Sequence, residues 1–260
     1  MGMQNLYPLF AGNRILKKEM LWAVRDRSFV QAELEYREYG DGMISGCGIR
    51  VEGNRIIVEP GIIKYGGFIY FLPGEESIEY CPSERETVLK MYLGKDAASP
   101  DYVCYHMNLA LESGDALDAD GFEVCRYKLQ EGAVLRAVHK NFGDMETEYD
   151  TLNYIHALWG GVGGRALAPA ITRRFAREIL GTEGCRTEDV MFAYFCLDRT
   201  GTVSMDILTD YLARKNGRCL PEMADNQTVF REMCTALERM GKTEAAEYRG
   251  NGGRRRIIVE

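Results

Sequence analysis

Apolar and polar positions alternate with a period of two through most of residues 41–93, and glycines break the alternation at short intervals. Met43, Cys47, Ile49 and Val51 alternate with Gly46, Gly48 and Arg50, and Gly53-Asn54 follows as a turn. Ile56 and Val58 resume the pattern, Pro60-Gly61 breaks it, and Gly66-Gly67 turns the chain again before Phe68, Tyr70 and Leu72. A period of two with glycine punctuation predicts short antiparallel strands joined by tight turns. The alternation returns at Val103, Tyr105, Met107, Leu109 and Leu111, while Thr87 to Leu93 and Phe122 to Leu129 supply two further strands. Residues 41–138 are therefore expected to hold about six to eight strands in an antiparallel β sandwich or partly open barrel.

On either side the period lengthens. In residues 14–38, Leu16, Met20, Ala23, Val30 and Leu34 follow a four-three spacing with Arg27 in one slot, and Trp22, Phe29 and Tyr36 recur at seven. Two apolar seams on one helix predict contacts on two sides, either within its own domain or with a neighbouring subunit. Trp22, Phe29 and Tyr36 are accordingly interface candidates. In the rear of the chain Pro169 fits the first turn of a helix that Gly181 stops. Thr187 is placed to cap a second helix, with Glu188 and Asp189 in its first turn, and Ser204 a third, with Val203 and Leu208 as a hydrophobic staple. A fourth is expected over roughly 226–240, with Val229, Met233, Leu237 and Met240 on one face.

The fold class read from these periods is α+β: an N-terminal helix, an antiparallel β sandwich or partly open barrel, and a C-terminal helical domain. The boundaries fall at 1–40 (N-terminal segment and helix), 41–138 (β domain), 139–163 (linker), 164–249 (helical domain) and 250–260 (tail or last strand). That last stretch carries the basic cluster Arg254, Arg255 and Arg256, a candidate grip for a phosphate or an acidic partner surface.

Charge narrows the partners. Residues 151–260 hold 16 Lys and Arg against 14 Asp and Glu, so the other 150 residues hold 16 against 25, within a chain of net charge −7. An acidic front half disfavours nucleic acid and favours attachment to another protein surface. No run of about 18 apolar residues occurs, so no membrane span is expected. The opening MGMQNLYPLF lacks the basic-then-apolar layout of a signal peptide. Eight cysteines, none in a C-x-x-C pair, are expected as reduced and mostly buried thiols, Cys104 and Cys196 among them, in a chain that folds in a cytoplasm.

Motifs for chemistry are sparse, and neither a metal nor a cofactor is expected. Gly161-Val-Gly163-Gly-Arg-Ala166 spells G-x-G-x-x-A, but no good buried strand precedes it, and a flexible hinge is the expected reading. Cys196 to Ile207 has the outline of a calcium loop, yet Cys196 and Ile207 occupy its first and last ligand places. His106, His139 and His156 form no metal-ligand pair. Glu75-Glu76 and Asp118 with Asp120 are paired loop acids and the only candidates for a small hydrolase. A glycan-binding module would need aromatics in a row, for which Tyr65, Tyr70 and Tyr80 are the candidates.

The segment GMISGCGIRVEGNRIIVEPGIIKYGGFIYFL resembles a pattern in tail and baseplate-associated proteins of bacteriophages and prophages: a strand, a turn, "PG", then a glycine followed by an aromatic strand. PLFAGNRILKKEM, FEVCRYKLQEGAVLRAV and DTLNYIH resemble the same uncharacterised prophage group in Firmicutes. The resemblance implies a non-enzymatic structural component of a phage-type tail or baseplate, such as an adaptor near the fibre attachment point. Its partners would be other tail or baseplate proteins, or further copies of itself. It would fold in the bacterial host cytoplasm and end in the virion or tail particle. No catalytic residue follows from it.

Overall fold

The structure is a computed structural model and describes residues 8–96, 101, 103–114, 121–183, 185–221 and 224–250, with the side chains of 96 and 242–250 left aside. Arg254, Arg255, Arg256, Asp118 and Asp120 lie outside the described residues. The described residues form an α+β protein of five helices and three sheets, none of them closed into a barrel and partly sandwich-like in packing.

Helix α1 is Lys18–Glu35. It is followed by β1 Gly42–Gly46, β2 Ile49–Glu52, β3 Arg55–Val58, β4 Gly61–Tyr65, β5 Phe68–Leu72 and β6 Glu76–Glu79. Strands β7 Thr87–Asp96, β8 Cys104–Ser113 and β9 Phe122–Tyr127 come next, then β10 Trp159–Gly161 and β11 Gly164–Ala166. Helices α2 Pro169–Gly181, α3 Thr187–Asp198, α4 Met205–Asn216 and α5 Asn226–Gly250 complete the order.

The glycine-punctuated stretch divides between two sheets. β1, β4 and β5 belong to the five-stranded order β11-β10-β1-β4-β5, whereas β2, β3 and β6 form the order β2-β3-β6. The chain passes between these sheets three times, at Gly46-Cys47-Gly48, at Glu59-Pro60-Gly61 and between β5 and β6, and the first two crossings lie against each other. Cys47 N donates to Pro60 O at 3.1 Å and Glu59 N to Gly48 O at 2.8 Å. A Cβ on Gly61 would stand 2.5 Å from Cys47 N and closer still to its Sγ, so only glycine fits. Gly46 and Cys47 are both left-handed, at φ +67° and +51°. A cysteine held there stores backbone strain that the paired crossing supports. In β3 the alternation gives way: Ile56, Ile57 and Val58 are all buried because β3 is the middle strand of its sheet.

The third sheet has the order β8-β7-β9, and β8 keeps the expected alternation in register, with Leu89 opposite Leu111 and Met91 opposite Leu109.

Residues 139–163 are not a free connection. Phe142, Met145, Leu152, Ile155 and Trp159 are buried in the same core cluster as the sheets and helices, and Phe142 stacks on Phe230 of α5 at 4.7 Å. β10 pairs in parallel with β1 through Met43 and Trp159. The expected hinge is a tight antiparallel hairpin, with Gly161 opposite Gly164 and Val162-Gly163 at its tip. Its glycines admit close backbone approach: Gly160 has no room for a Cβ against Gly40 O.

Among the helices, Pro169 opens α2 as expected. The N-cap of α3 lies one residue earlier than the expected Thr187. Arg186 is the N-cap, and the Asp189 carboxylate accepts from its backbone N–H at 3.1 Å. Ser204 occupies the N-cap of α4 without a side-chain cap bond. α5 runs ten residues past its expected end. A buried ion pair ties α3 to α4: Asp189, fully buried, accepts from Lys215 Nζ at 2.5 Å and Tyr211 OH at 2.8 Å. Burial pushes the Asp189 carboxyl up, but these donors pull it below its ordinary value on balance.

Candidate interaction surface

Among the described residues α1 differs from every other α-helix in burying nothing. No residue of α1 is buried. Ten of the twenty large apolar side chains exposed among the described residues lie between Leu9 and Leu34, about a tenth of the chain. Single exposed apolar residues are ordinary, but a concentration of this kind marks a binding surface. Apolar residues sit on all sides of α1: Leu21, Trp22, Val24, Phe29, Val30 and Leu34 are each roughly half exposed or more. Of the interface candidates, Trp22 is 47% exposed and Phe29 55%, while Tyr36 is half-buried edge-on to Tyr39 at 5.4 Å.

The C-terminal root of this helix is tied down. The last turn of α1 contains no basic residue of its own. Lys64, in the interior strand β4, supplies the missing charge: its Nζ donates to the carbonyls of Tyr36, Arg37 and Tyr39 at 3.0, 2.9 and 2.6 Å. An ammonium there satisfies carbonyls that no helical N–H reaches and complements the negative end of the helix. Just beyond, Gly40 N donates to Gly161 O at 3.0 Å and Gly163 N to Glu38 O at 2.9 Å, joining the root to the β10–β11 hairpin. Lys64 was legible only as the one charged residue in an otherwise apolar strand, and the sequence offered no way to pair it with residues 36–39.

A second, smaller apolar patch lies on α3, where Met191 and Tyr194, one turn apart, are both exposed.

A cleft of about 530 Å³ opens between α2 and the first strand crossing. Arg173, Arg174 and Arg177 of α2 line one side, Cys47 and His139 the other, and Trp159 also contributes. It holds residue types of a nucleophilic site in unreactive states. Burial pushes the Cys47 thiol up to about 12, the opposite of what a thiolate nucleophile needs. Burial likewise holds His139 below its ordinary value, and its Nε2 lies 2.7 Å from Leu152 O. Arg173 donates to the Arg199 and Thr200 carbonyls at 2.8 and 3.1 Å, and Arg174 to Glu178 at 3.0 Å, so these two guanidinium groups tie loops and helix together.

The remaining sequence candidates disperse. Among the described residues no three of His, Cys, Asp and Glu come together to hold a metal. Glu75 pairs with Arg50 at 2.6 Å and Glu76 is exposed on β6. Tyr70 and Tyr80 are buried, the latter donating to Gly53 O at 2.9 Å, so with half-buried Tyr65 they form no exposed row for a sugar. Three cysteines are buried, two are half-buried, and Cys81, Cys104 and Cys219 are exposed, which corrects the expectation of mostly buried thiols; Cys104 opens an edge strand instead of facing the core. Within the described residues no helix is long and apolar enough to cross a membrane.

No protein-family model matches the chain, and no curated protein matches it. Among solved structures, a chain of the TssK-TssF-TssG baseplate subcomplex of the type VI secretion system aligns with 92% of this chain and 100% of its own length, at 11% identity and a TM-score of 0.41. TssK itself aligns with 92% of this chain and 69% of its own length, at 10% identity and a TM-score of 0.37. A chain of the type VI baseplate complex aligns with 92% and 99%, at 11% identity and a TM-score of 0.35.

Proposed function

We propose that this protein is a structural component of a phage-type tail or baseplate, of prophage origin, that works by docking its N-terminal arm and α1 into other proteins of the particle. The observation that carries the reading is the exposed apolar segment Leu9–Leu34, whose helix is held to a well-packed body at its root. An element that buries none of its apolar side chains against the described residues gains its free energy from a partner. The sequence resemblance to tail and baseplate-associated proteins supplies the class of partner and the place, an adaptor near the fibre attachment point. On this reading the chain folds in the host cytoplasm and is carried into the particle on assembly, and Arg254, Arg255 and Arg256 serve as a second grip on an acidic partner surface.

The test is co-expression with the products of the neighbouring genes, followed by purification of the assembly. A defined complex that survives gel filtration, and that Trp22→Ala with Phe29→Ala dissolves, is the expected result. A chain that joins no tail protein, or one whose complexes ignore both substitutions, overturns the proposal.

A further inference from the structure

The cleft beside α2 holds positive charge that the described residues leave uncompensated. Arg173 and Arg177, one turn apart on α2, both line it. Arg173 donates to the neutral carbonyls of Arg199 and Thr200 and to no carboxylate among the described residues. Arg177 is exposed and has no hydrogen bond or ion pair among them. Arg174 shares its charge with Glu178. Like charges one turn apart destabilise a helix, and α2 has no acidic residue in its first turn to offset them. Glu59 is the one carboxylate among the described lining residues, and Arg50 already stands 3.9 Å from it. In a chain of net charge −7 the cleft is a local reversal of sign.

Much of the remaining lining is apolar. Met145, Tyr154 and Trp159 belong to the buried core, and Val138, 80% exposed, carries the apolar lining out to the surface. A phosphate group would meet the arginines and leave this lining bare, whereas a peptide that carries carboxylates beside an apolar side chain meets both. The spacing agrees. Residues 173 and 177 lie about 6 Å apart along the helix axis, and side chains two apart on one face of an extended chain lie about 7 Å apart. Two acids at such positions face the two guanidinium groups, which favour carboxylates through charge-assisted pairs. The residue between them faces the opposite wall, to which Ile49 and Val138 contribute apolar surface.

We infer that this cleft binds an extended acidic segment of a partner protein, in the order acid, apolar residue, acid, with the two carboxylates on Arg173 and Arg177. At about 530 Å³ the cleft has the size of a specific binding pocket. The site is separate from α1 and adds to the proposed function a second means of attachment, one that depends on charge.

Selection of displayed random peptides on the immobilised full chain, followed by titration calorimetry with the selected peptides, tests the inference. Sequences with two acids flanking an apolar residue are expected to be enriched, and their binding to weaken as salt rises. Arg177→Gln removes a guanidinium that has no partner to lose, so it should leave the fold intact and weaken binding about tenfold or more. Arg177→Lys should weaken it less, and Glu59→Gln should tighten it by removing the carboxylate that repels the peptide. Arg231→Gln, which removes an exposed charge from α5, should leave binding as it was. A selection without acidic sequences overturns the inference, as do acidic peptides that bind Arg177→Gln as tightly as the native chain. Inorganic phosphate that binds with the same dependence on Arg177 while no peptide does overturns it in favour of a phosphate ligand. Binding is read on the isolated chain, so each of these failures leaves the docking of α1 untouched.

Discussion

Replacing Lys64 with methionine keeps the aliphatic stem of the side chain and removes the ammonium that receives three carbonyls at the root of α1. Hydrogen bonds to a charged donor contribute about 1.5–3 kcal/mol, and a cation at a helix C-terminus about 0.3–1 kcal/mol. The site is half-buried and water replaces part of the loss, so the expected cost is about 1.5–2 kcal/mol. Where this free energy is lost matters more than its size. α1 buries nothing, so its release exposes almost no core, and Lys64→Met should act locally. At about 1.4 kcal/mol per factor of ten, the opening equilibrium of the last turns of α1 should rise roughly 10–30-fold. Amide hydrogen exchange read segment by segment should then show faster exchange over residues 30–40 and unchanged exchange in β4, β5 and β7. The urea midpoint of the body should hold. A lowered urea midpoint with α1 exchange unchanged would show that Lys64 supports the sheet and not the helix, and the clamp would be refuted.

Lys215→Met leaves Asp189 charged and fully buried, and should cost about 3–5 kcal/mol in urea unfolding. Adding Asp189→Asn should return part of that loss, and strictly additive effects would refute the pairing. Burial holds His139 and His156 below their ordinary value, so the unfolded chain takes up protons first as pH falls below about 6.5, and stability should decline from there. Asp144, held well below the carboxylate range chiefly by Arg136, and Asp189 give their full stabilising effect only above the unfolded value near 3.9, and lose it progressively as pH falls through that value toward their folded ones. A urea midpoint that is flat from pH 7 to pH 3 would contradict both. Gly61→Ala should cost several kcal/mol, about 3 or more, because its Cβ meets the Cys47 backbone, while Gly74→Ala, in open space, should be neutral; equal thermal shifts would refute the close crossing.

The periods of two and of three to four in this sequence determined the strands and helices, because side-chain direction repeats locally and a residue's face follows from its neighbours alone. Pro169 at the start of α2 and the alternation along β8 were legible for that reason. So was the two-sided apolar character of α1, but the sequence left open whether its own chain or another one covers it. Pairing between distant segments was invisible. That β1 and β4 leave β2 and β3 for a different sheet depends on two glycines separated by fourteen residues meeting back to back. That residues 139–163 belong to the core depends on Phe142 reaching Phe230 and on Trp159 lying beside Met43. That Lys64 holds the end of α1 depends on a strand passing beneath a helix some twenty-five residues away. Backbone preference and periodicity act over a few residues and are written in the order of the chain. Close approach, clamping and the exposure of a whole helix are set by which surfaces meet in space, and only the tertiary structure decides that.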